Sequence, residues 1–455
     1  MAHDILILGG GFGGLTAARR LERKLPPQAA KVTLVNDVNF MLYTPLLPGA
    51  AAGTLEPRHV VVPLREQLRR TELHIGTVLG ADPDWRTVRV RSIGGRASEL
   101  RYDQLIVALG STSRTLPIPG LAEHALGFKT LAEAIALRNR LLQTLEQAEI
   151  ETDDAVRRAL LTYVFVGAGY AGLEGIAEMQ DFAADLVRHY PRSQLHGLRF
   201  VLVEAKDRVM TEIQPDLAAF ASAELRRRGI EIHISTTIER VGPESVELST
   251  GEIVPSRTVA WTAGVKPHPV VAELGLPLDG GGRIAADRFC AVEGRPGVWA
   301  IGDAAAVPDP ARKGSSSSPP TAQHVLRQAK VAADNAAHAL AGEPQRRRPF
   351  RYRTLGIFVD MGRHQAVAST FGIKWRGFPA WFLARTYHLA LMPGTARRAR
   401  LVTDWTTGLL FDRDSAELGQ LGHPRELEGK SAGGIEASQA GRDEVASGAG
   451  VRLDD

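Results

Sequence analysis

The stretch YVFVGAGYAGLEGIAEM (residues 163–179) repeats a pattern that DILILGGGFGGLTAARRL (residues 4–21) has already set. In each, an apolar run that reads as a buried strand, Ile5 to Leu8 and Tyr163 to Val166, feeds a GxGxxG turn and then helix-forming residues. The glycines are Gly9, Gly11 and Gly14 in the first copy and Gly167, Gly169 and Gly172 in the second. The first glycine of such a turn permits a tight bend, the second lets backbone approach a pyrophosphate, and the third lets helix and strand pack closely. The helix N-terminus then offers unpaired N–H groups and the positive end of its dipole to the phosphates. One copy alone is weak evidence. Two, both in strand-turn-helix context, imply two dinucleotide sites in one chain.

Each copy runs on to a second strand whose end should carry a residue for the ribose hydroxyls. KVTLVND ends at Asn36, with Asp37 beside it, where an acid is usual; an amide still bonds a hydroxyl. LRFVLVEA ends at Glu204, farther along than the roughly 20 residues of the usual spacing, because a long helix and the turn-rich RHYPRSQLHG intervene. A carboxylate there accepts from the hydroxyls of NADH and repels the 2′-phosphate of NADPH. Lys206 and Arg208 close by are expected to soften that discrimination.

At 455 residues the chain is too long for one core and fits two or three domains. Its composition, 44% hydrophobic and 23% charged, is that of a globular protein. The net charge is only +4, but basic residues cluster in QRRRPFRYR (345–353) and TARRARL (395–401). No nucleic-acid-reading module accompanies them, so nucleic acid is not expected as a partner; an anionic membrane surface is the more interesting one. No run of about 18 apolar residues is present to span a bilayer. A strand begins at residue 4 with no signal-peptide pattern, so a cytoplasmic location is expected. The single cysteine, Cys290, excludes a disulfide framework and a redox-active cysteine pair within the chain. It sits in the strand-like IAADRFCAV and reads as a small buried apolar residue.

Three further strands end in glycine turns: YDQLIVALGSTSRTLPIPG (102–120) through Ala108 and Gly110, RTVAWTAGVKPHP (257–269) through Ala263 and Gly264, and GVWAIGDAAAV (297–307) at Gly302 and Asp303. A helical region at about 130–158 precedes the second glycine motif, and a flexible serine run precedes an amphipathic helix that opens with Ala322. Residues 423–455 are rich in Gly, Ser, Glu and Asp and are expected to be disordered.

Taken together, GGGFGG, YDQLIVALGS, GAGYAG and AIGDAA resemble the two-dinucleotide flavoproteins of the pyridine nucleotide-disulfide oxidoreductase fold, over about residues 4–345. The resemblance implies an α/β fold with two Rossmann-like domains, the FAD domain interrupted by the NAD domain. The FAD domain would comprise 1–130 and 266–345, the NAD(P)H domain 131–265, followed by a C-terminal region at 346–422 and the tail. FAD would then lie on Gly9, Gly11, Phe12, Gly13, Gly14, Asn36, Asp37, Val78, Ala108, Gly110, Gly302, Asp303 and Ala322. In that resemblance Asp303 bonds the ribitol or pyrophosphate region and Val78 lies near the adenine. NADH would lie on Gly167, Gly169, Gly172, Glu204, Ala263 and Gly264.

The missing cysteines set aside the disulfide reductases and the sulfide:quinone reductases of this fold. PPTAQHVLRQ resembles instead the quinone-site pattern AQxAxQ of type II NADH:quinone oxidoreductases, through Ala322, Gln323 and Gln328, with Val325 in place of the second alanine. Gln323 would offer a neutral donor to a quinone carbonyl, and His324 is a candidate proton carrier with a structural alternative. Glu174, two residues past Gly172, matches the extended form of the second motif in that family; otherwise it is a first-turn acid favoured by the helix dipole. Lys374 is a weaker candidate for the quinone pocket, and a snorkelling interfacial lysine is the alternative. NFMLYTPLLPGAAAG (39–53) resembles the loop beside the flavin.

Within KWRGFPAWFLARTYHLALMPGTARRAR (374–400), Phe378, Trp381, Phe382 and Leu389 share a helical face beside Arg397, Arg398 and Arg400. That pattern describes a helix lying in a membrane interface, with a dimer or core helix as the alternative. The expectation is a homodimeric FAD enzyme, peripheral on the cytoplasmic face of the membrane, that oxidises NADH and reduces a membrane quinone. Two other readings stay open: a soluble reductase of a small redox protein such as ferredoxin or rubredoxin, docked through the basic runs, and a flavin-bound sensor.

Overall fold

In a computed structural model the described residues are 3–310, 317–352, 354 and 356–417, so part of the serine run and the whole tail from 423 lie outside them. Two parallel sheets carry the chain. The first has seven strands in the order Val298–Ala300, Gln104–Val107, His3–Leu8, Ala30–Asn36, Glu72–Asp82, Thr87–Ser92 and Ala97–Arg101. Its first five are parallel neighbours and the last two fold back antiparallel. One strand of this sheet thus comes from far down the sequence, as an interrupted domain requires. The second sheet is all parallel, in the order Ala125–Gly127, Thr258–Trp261, Thr162–Val166, Arg199–Val203 and Ile230–His233. It begins before residue 131: the short strand Ala125–Gly127 pairs with Thr258–Trp261 rather than with the first sheet. The central parallel strands Ile5–Leu8, Gln104–Val107, Val298–Ala300, Thr162–Val166 and Thr258–Trp261 are buried on both faces and so are near-continuous apolar runs, whereas the antiparallel Thr87–Ser92 and Ala97–Arg101 alternate.

The two chain crossings between the sheets lie side by side, Ser111–Ser113 running antiparallel to Val265–Pro267. The helix Leu131–Ile150 starts on a full capping box, Thr130 accepting from the Glu133 N–H while the Glu133 carboxylate accepts from the Thr130 N–H. The helix Ala322–Leu340 is capped by Thr321 and lays buried Ala329, Ala332, Ala333 and Ala336 against the helix Phe12–Lys24, which presents Gly13, Gly14, Ala17 and Ala18. Small residues on both sides let the two helices approach closely. Arg20 then ties them with a two-pronged bond to Asp334, both contacts at 2.8 Å.

Two sequence readings change. IAADRFCAV is not a strand through Cys290: the Cys290 N–H closes a turn onto the Asp287 carbonyl with φ at 63°, although the thiol is fully buried as expected. The C-terminal stretch is not one helix. It folds as the strands Gly356–Asp360, Ala366–Thr370 and Ile373–Arg376, then the helices Phe378–Leu391 and Thr395–Leu410, separated by Pro393 and Gly394. Proline cannot continue a helix and Gly394 takes φ 88°, so the chain turns there. Trp381 packs with Ala366, Ala368 and Ala380 and is only 8% exposed, whereas Phe378 and Phe382 are each 58% exposed. Trp381 therefore belongs to a local core and not to the outward face. Among the described residues no helix is long and apolar enough to cross a membrane.

Candidate active site

The two glycine turns are copies in three dimensions. Gly9 and Gly167 have φ of 95° and 98°, and a Cβ on either would collide with backbone at the end of a neighbouring strand, Ala108 in one case and Ala263 in the other. A Cβ on Gly14 would sit 1.7 Å from the Gly9 carbonyl oxygen, and one on Gly172 1.8 Å from that of Gly167. At Gly11 and Gly169 nothing lies within 4 Å. The first and third glycines are thus required by the protein's own packing. The second faces open space, which is what a closely approaching pyrophosphate needs.

The strand ends complete the likeness. Asn36 Oδ1 accepts from the Gly10 N–H at 2.6 Å, and Glu204 Oε2 accepts from the Ala168 N–H at 2.6 Å. Each polar end group is locked against its own glycine turn. Asn36 also donates to the Val38 carbonyl at 2.8 Å, and Glu204 Oε1 accepts from the Lys206 N–H at 2.9 Å. Asp37 is exposed beyond Asn36. The softening expected from Lys206 and Arg208 is not supported. Arg208 donates to the carbonyls of Met210, Thr211 and Ile213, and Lys206 Nζ bonds Thr211 Oγ1 at 2.7 Å, so both cations are engaged within their own loop. These residues fit two dinucleotides: both turns open outward, and each has a polar strand end beside it.

Around the first turn, Phe12 meets the buried Tyr43 edge to face at 5.3 Å, which sets the NFMLYTPLLPG loop against the glycine helix. Val78 lies on Glu72–Asp82, the strand beside Asn36, and is largely buried. Gly110 takes φ 69° with open space around it, and Gly264 does the same at 90°. Asp303 sits in a single 3-10 turn, and its carboxylate accepts from Ser111 Oγ at 2.6 Å rather than capping a helix. Lys129 Nζ donates to the same Ser111 hydroxyl at 2.7 Å. Ser111 and Lys129 were missed in the sequence. Ser111 follows Gly110 directly and could have been read from that position, but nothing local marks Lys129.

The helix opened by Ala322 corrects three assignments. In AQxAxQ the last glutamine falls at the sixth position, which here is Arg327; Gln328 is one place later. Arg327 stacks on the Tyr352 ring at 3.9 Å, while Gln328 is buried and accepts from the Gly302 N–H at 2.8 Å. Gln323 is engaged at both ends of its amide, donating to the Gly356 carbonyl at 2.9 Å and accepting from Tyr352 Oη at 2.6 Å. His324 is 4% exposed, its Nδ1 2.7 Å from Thr321 Oγ1 and its Nε2 3.5 Å from Asp309, so it holds the helix start rather than facing a cavity. Lys374 is likewise not in a pocket. It shares the Asp216 carboxylate with Arg376 on the surface, at 2.8 and 2.9 Å; its strand pairs with Ala366–Thr370, which packs on the helix Pro215–Arg227.

Glu174 does line a cavity. Its walls are Pro45, Leu46, Pro48 and Gly49 from the early loop, Glu174 and Glu178 from the second glycine helix, Phe358 and Asp360 from a C-terminal strand, and Arg385, His388 and Trp405 from the two last helices. Glu174 Oε1 accepts from the Asp360 N–H at 3.0 Å. Desolvation, with Asp360 and Glu178 close by, raises the Glu174 carboxyl well above the ordinary range. Asp360 retains 27% of its side-chain surface, yet desolvation pushes its pKa up to about 6 against the pull of Arg385. Desolvation also lowers His388 to about 4, so its imidazole is neutral. Arg385 lies 4.3 Å from the Trp381 ring and 5.0 Å from that of Trp405, and reaches Asp360 only at 3.9 Å. Three carboxyls therefore share this wall with one guanidinium, and with Arg413, 3.6 Å from Glu178. Crowding of like charge away from water raises the Glu174 and Asp360 carboxyls above the ordinary carboxylate range. Asp360, Arg385 and His388 were missed; the i, i+3 spacing of Arg385 and His388 within an apolar helix was the available signal.

The Pyridine nucleotide-disulphide oxidoreductase family profile matches residues 3–336. The chain is 30% identical over 427 residues to the type II NADH:quinone oxidoreductase Ndh of Mycobacterium tuberculosis, covering 90% of this chain and 89% of that one. It is 27% identical to a probable NADH dehydrogenase of Dictyostelium discoideum, with 90% of each chain covered. Its fold superposes on NDH2 of Plasmodium falciparum with a TM-score of 0.85 at 17% identity, over 91% of this chain and 100% of that one. The chain belongs to the pyridine nucleotide-disulphide oxidoreductase family, in its type II NADH:quinone oxidoreductase branch.

Proposed function

We propose that the protein oxidises NADH through FAD and delivers the two electrons to a quinone. FAD, when bound, would supply the two-electron chemistry that links NADH to the quinone. The residues that would hold FAD are the first glycine turn with Asn36 and Asp37, Val78, Ala108 and Gly110, Gly302 with Asp303, and Ala322; Ser111 and Lys129 hold the Asp303 carboxylate in place. NADH would lie on the second turn, with Glu204 for its ribose and Ala263 and Gly264 beside it. Orientation and exclusion of water are the protein's share of the hydride step.

The observation that carries the acceptor half is the cavity at Glu174. It lies between the early loop and the C-terminal helices, is apolar on one side and bears protonatable acids on the other. Reduction of a quinone to a quinol takes up two protons with two electrons, and hydride brings only one of those protons. An acid-lined apolar cavity fits that need. Membrane association is supported by exposed Phe378, Phe382, Leu409, Leu410 and Phe411 on or beside the last helices; a position on the cytoplasmic face belongs to the proposal. A homodimer is part of the same proposal.

Steady-state NADH oxidation with a quinone in lipid vesicles tests the reading. Turnover with quinone is expected. Turnover only with a small redox protein, suppressed by salt, would favour the soluble reductase. Sedimentation velocity decides the dimer.

A further inference from the structure

On the first glycine helix, Arg20 and Lys24 turn toward Asp334. Arg19 and Arg23 turn the other way and, with Glu22, Gln67, Arg69 and Arg70, line a separate open cleft. It lies along the second half of the helix Phe12–Lys24, about 12 Å (Arg19) to about 18 Å (Arg23) from Gly11 at 1.5 Å per residue, so it is separate from the glycine turn.

The cleft is built rather than incidental. Glu22 Oε1 accepts from the N–H groups of Arg69, Arg70 and Thr71 and from Thr71 Oγ1, at 2.8 to 2.9 Å, and so clamps the 69–71 backbone onto the helix. Arg70 donates to the carbonyls of Glu22 and Leu25. Among the described residues Arg19 makes one long contact, of 3.4 Å to Gln67. Arg23 and Arg69 have no ion pair among the described residues. Four guanidiniums thus meet one carboxylate that is already spent on backbone. The protein leaves positive charge in a concave site without an internal partner, which is the recipe for an anion with several acceptor oxygens.

The neighbourhood selects the anion's source. A Cβ on Gly394 would lie 3.4 Å from Gln67 Nε2 and 3.8 Å from the Arg397 side chain, so the cleft borders the start of the helix Thr395–Leu410. Arg397 anchors that start by donating to the Arg58 carbonyl at 2.7 Å. Farther along the same helix Val402, Leu409 and Leu410 are exposed, by 45, 60 and 74%. Guanidiniums beside an outward apolar helix match the layering of a leaflet, headgroup phosphate above acyl chain.

We infer that this cleft binds the phosphate of an anionic phospholipid, and that it orients the protein on the membrane through Arg19, Arg23 and Arg69. The inference rests on the membrane reading above. It adds a discrete headgroup site to that reading.

The test compares the full-length holoprotein with an Arg23→Glu/Arg69→Glu double variant, and with an Arg158→Glu/Arg226→Glu control that makes the same charge change on exposed positions of the second sheet's helices. Flotation on phosphatidylglycerol vesicles should weaken about tenfold or more for the cleft variant, since each basic residue near the surface is worth about a fivefold factor. The control should weaken much less. Binding to neutral phosphatidylcholine vesicles, through the apolar helices alone, should be alike for all three proteins, as should NADH oxidation with a water-soluble quinone. Equal weakening by cleft variant and control would overturn the inference, leaving only net charge. Calorimetric titration with inorganic phosphate separates the sources: saturable phosphate binding lost in the cleft variant, with phosphatidylglycerol flotation unchanged, would assign the cleft to a free anion and overturn the lipid. Wild-type protein that binds neither kind of vesicle would sink the membrane reading itself.

Discussion

The N–H of Asp360 donates to Glu174 Oε1 at 3.0 Å, which holds two carboxyl groups on one wall of the cavity although they lie far apart in the sequence. Arg385 is too distant, at 3.9 Å, to neutralise both. The pKa of Asp360 rises from 3.8 to about 6, so the folded chain holds this proton more tightly than the unfolded chain does. The associated stability is full below about pH 4 and is lost as pH climbs through about 6. Asp360→Asn removes that loss and keeps an acceptor for the Gly362 N–H. Its melting temperature should therefore gain on wild type as pH rises from about 4 to about 6, and the difference should level off above that. A constant difference across that range would show that Asp360 ionises normally.

At the second dinucleotide site, Glu204 is held against its own glycine turn by the Ala168 N–H, at the end of the strand, while Arg208 and Lys206 are tied into their loop. Neither of these two cations is free for a 2′-phosphate. Glu204→Ala should lower the NADH over NADPH preference in kcat/KM by roughly tenfold or more, the effect of losing one or two charge-assisted hydrogen bonds. It should also loosen the turn at Ala168. An unchanged ratio for the two nucleotides would place the ribose elsewhere.

How far the site was legible in the sequence depends on where its causes lie. The glycine turns were readable because their constraint is local: positive φ at Gly9 and Gly167 and contact between residues five apart. Asn36 and Glu204 were readable from their strand ends. The cavity was not, because Leu46, Glu174, Asp360, His388 and Trp405 come from separate elements that only tertiary packing joins. Gln323 was found by pattern, but Tyr352 and Gly356, which take up its amide, lie in a segment with no motif of its own. Periodicity put Trp381 and Phe382 on one helical face; it could not show that the hairpin Ala366–Arg376 covers only the former.

The second and third glycines of the first turn should fail in different ways. Gly11→Val places a side chain in the open space left for a pyrophosphate, so the protein should fold with a near-normal melting curve but purify without flavin. Gly14→Ala drives a methyl group to 1.7 Å from the Gly9 carbonyl oxygen and should destabilise the fold itself. Flavin absorbance and thermal unfolding, measured on both variants, check the pair. Normal flavin content in Gly11→Val would remove the first turn from the flavin site.

Membrane attachment can be broken without touching the cavity. Phe378 and Phe382 stand on the outward face of the helix Phe378–Leu391, each more than half exposed, and neither lines the cavity at Glu174. Full burial of such a side chain is worth about 1.5–3 kcal/mol, so replacing both with serine should weaken vesicle binding by roughly a hundredfold. NADH oxidation with a water-soluble quinone should be unchanged. Trp381→Ser is the contrasting variant. Its ring fills the small core under the hairpin and stacks on Phe378 at 5.4 Å, so its loss should lower the melting temperature, as core truncation of an aromatic costs about 3–5 kcal/mol. It should also slow quinone reduction, because Arg385 loses the ring that positions it beside Asp360. Vesicle flotation, thermal melts and stopped-flow reoxidation by quinone distinguish the two variants. If the phenylalanine double variant still floats with vesicles, this helix face is not the membrane contact.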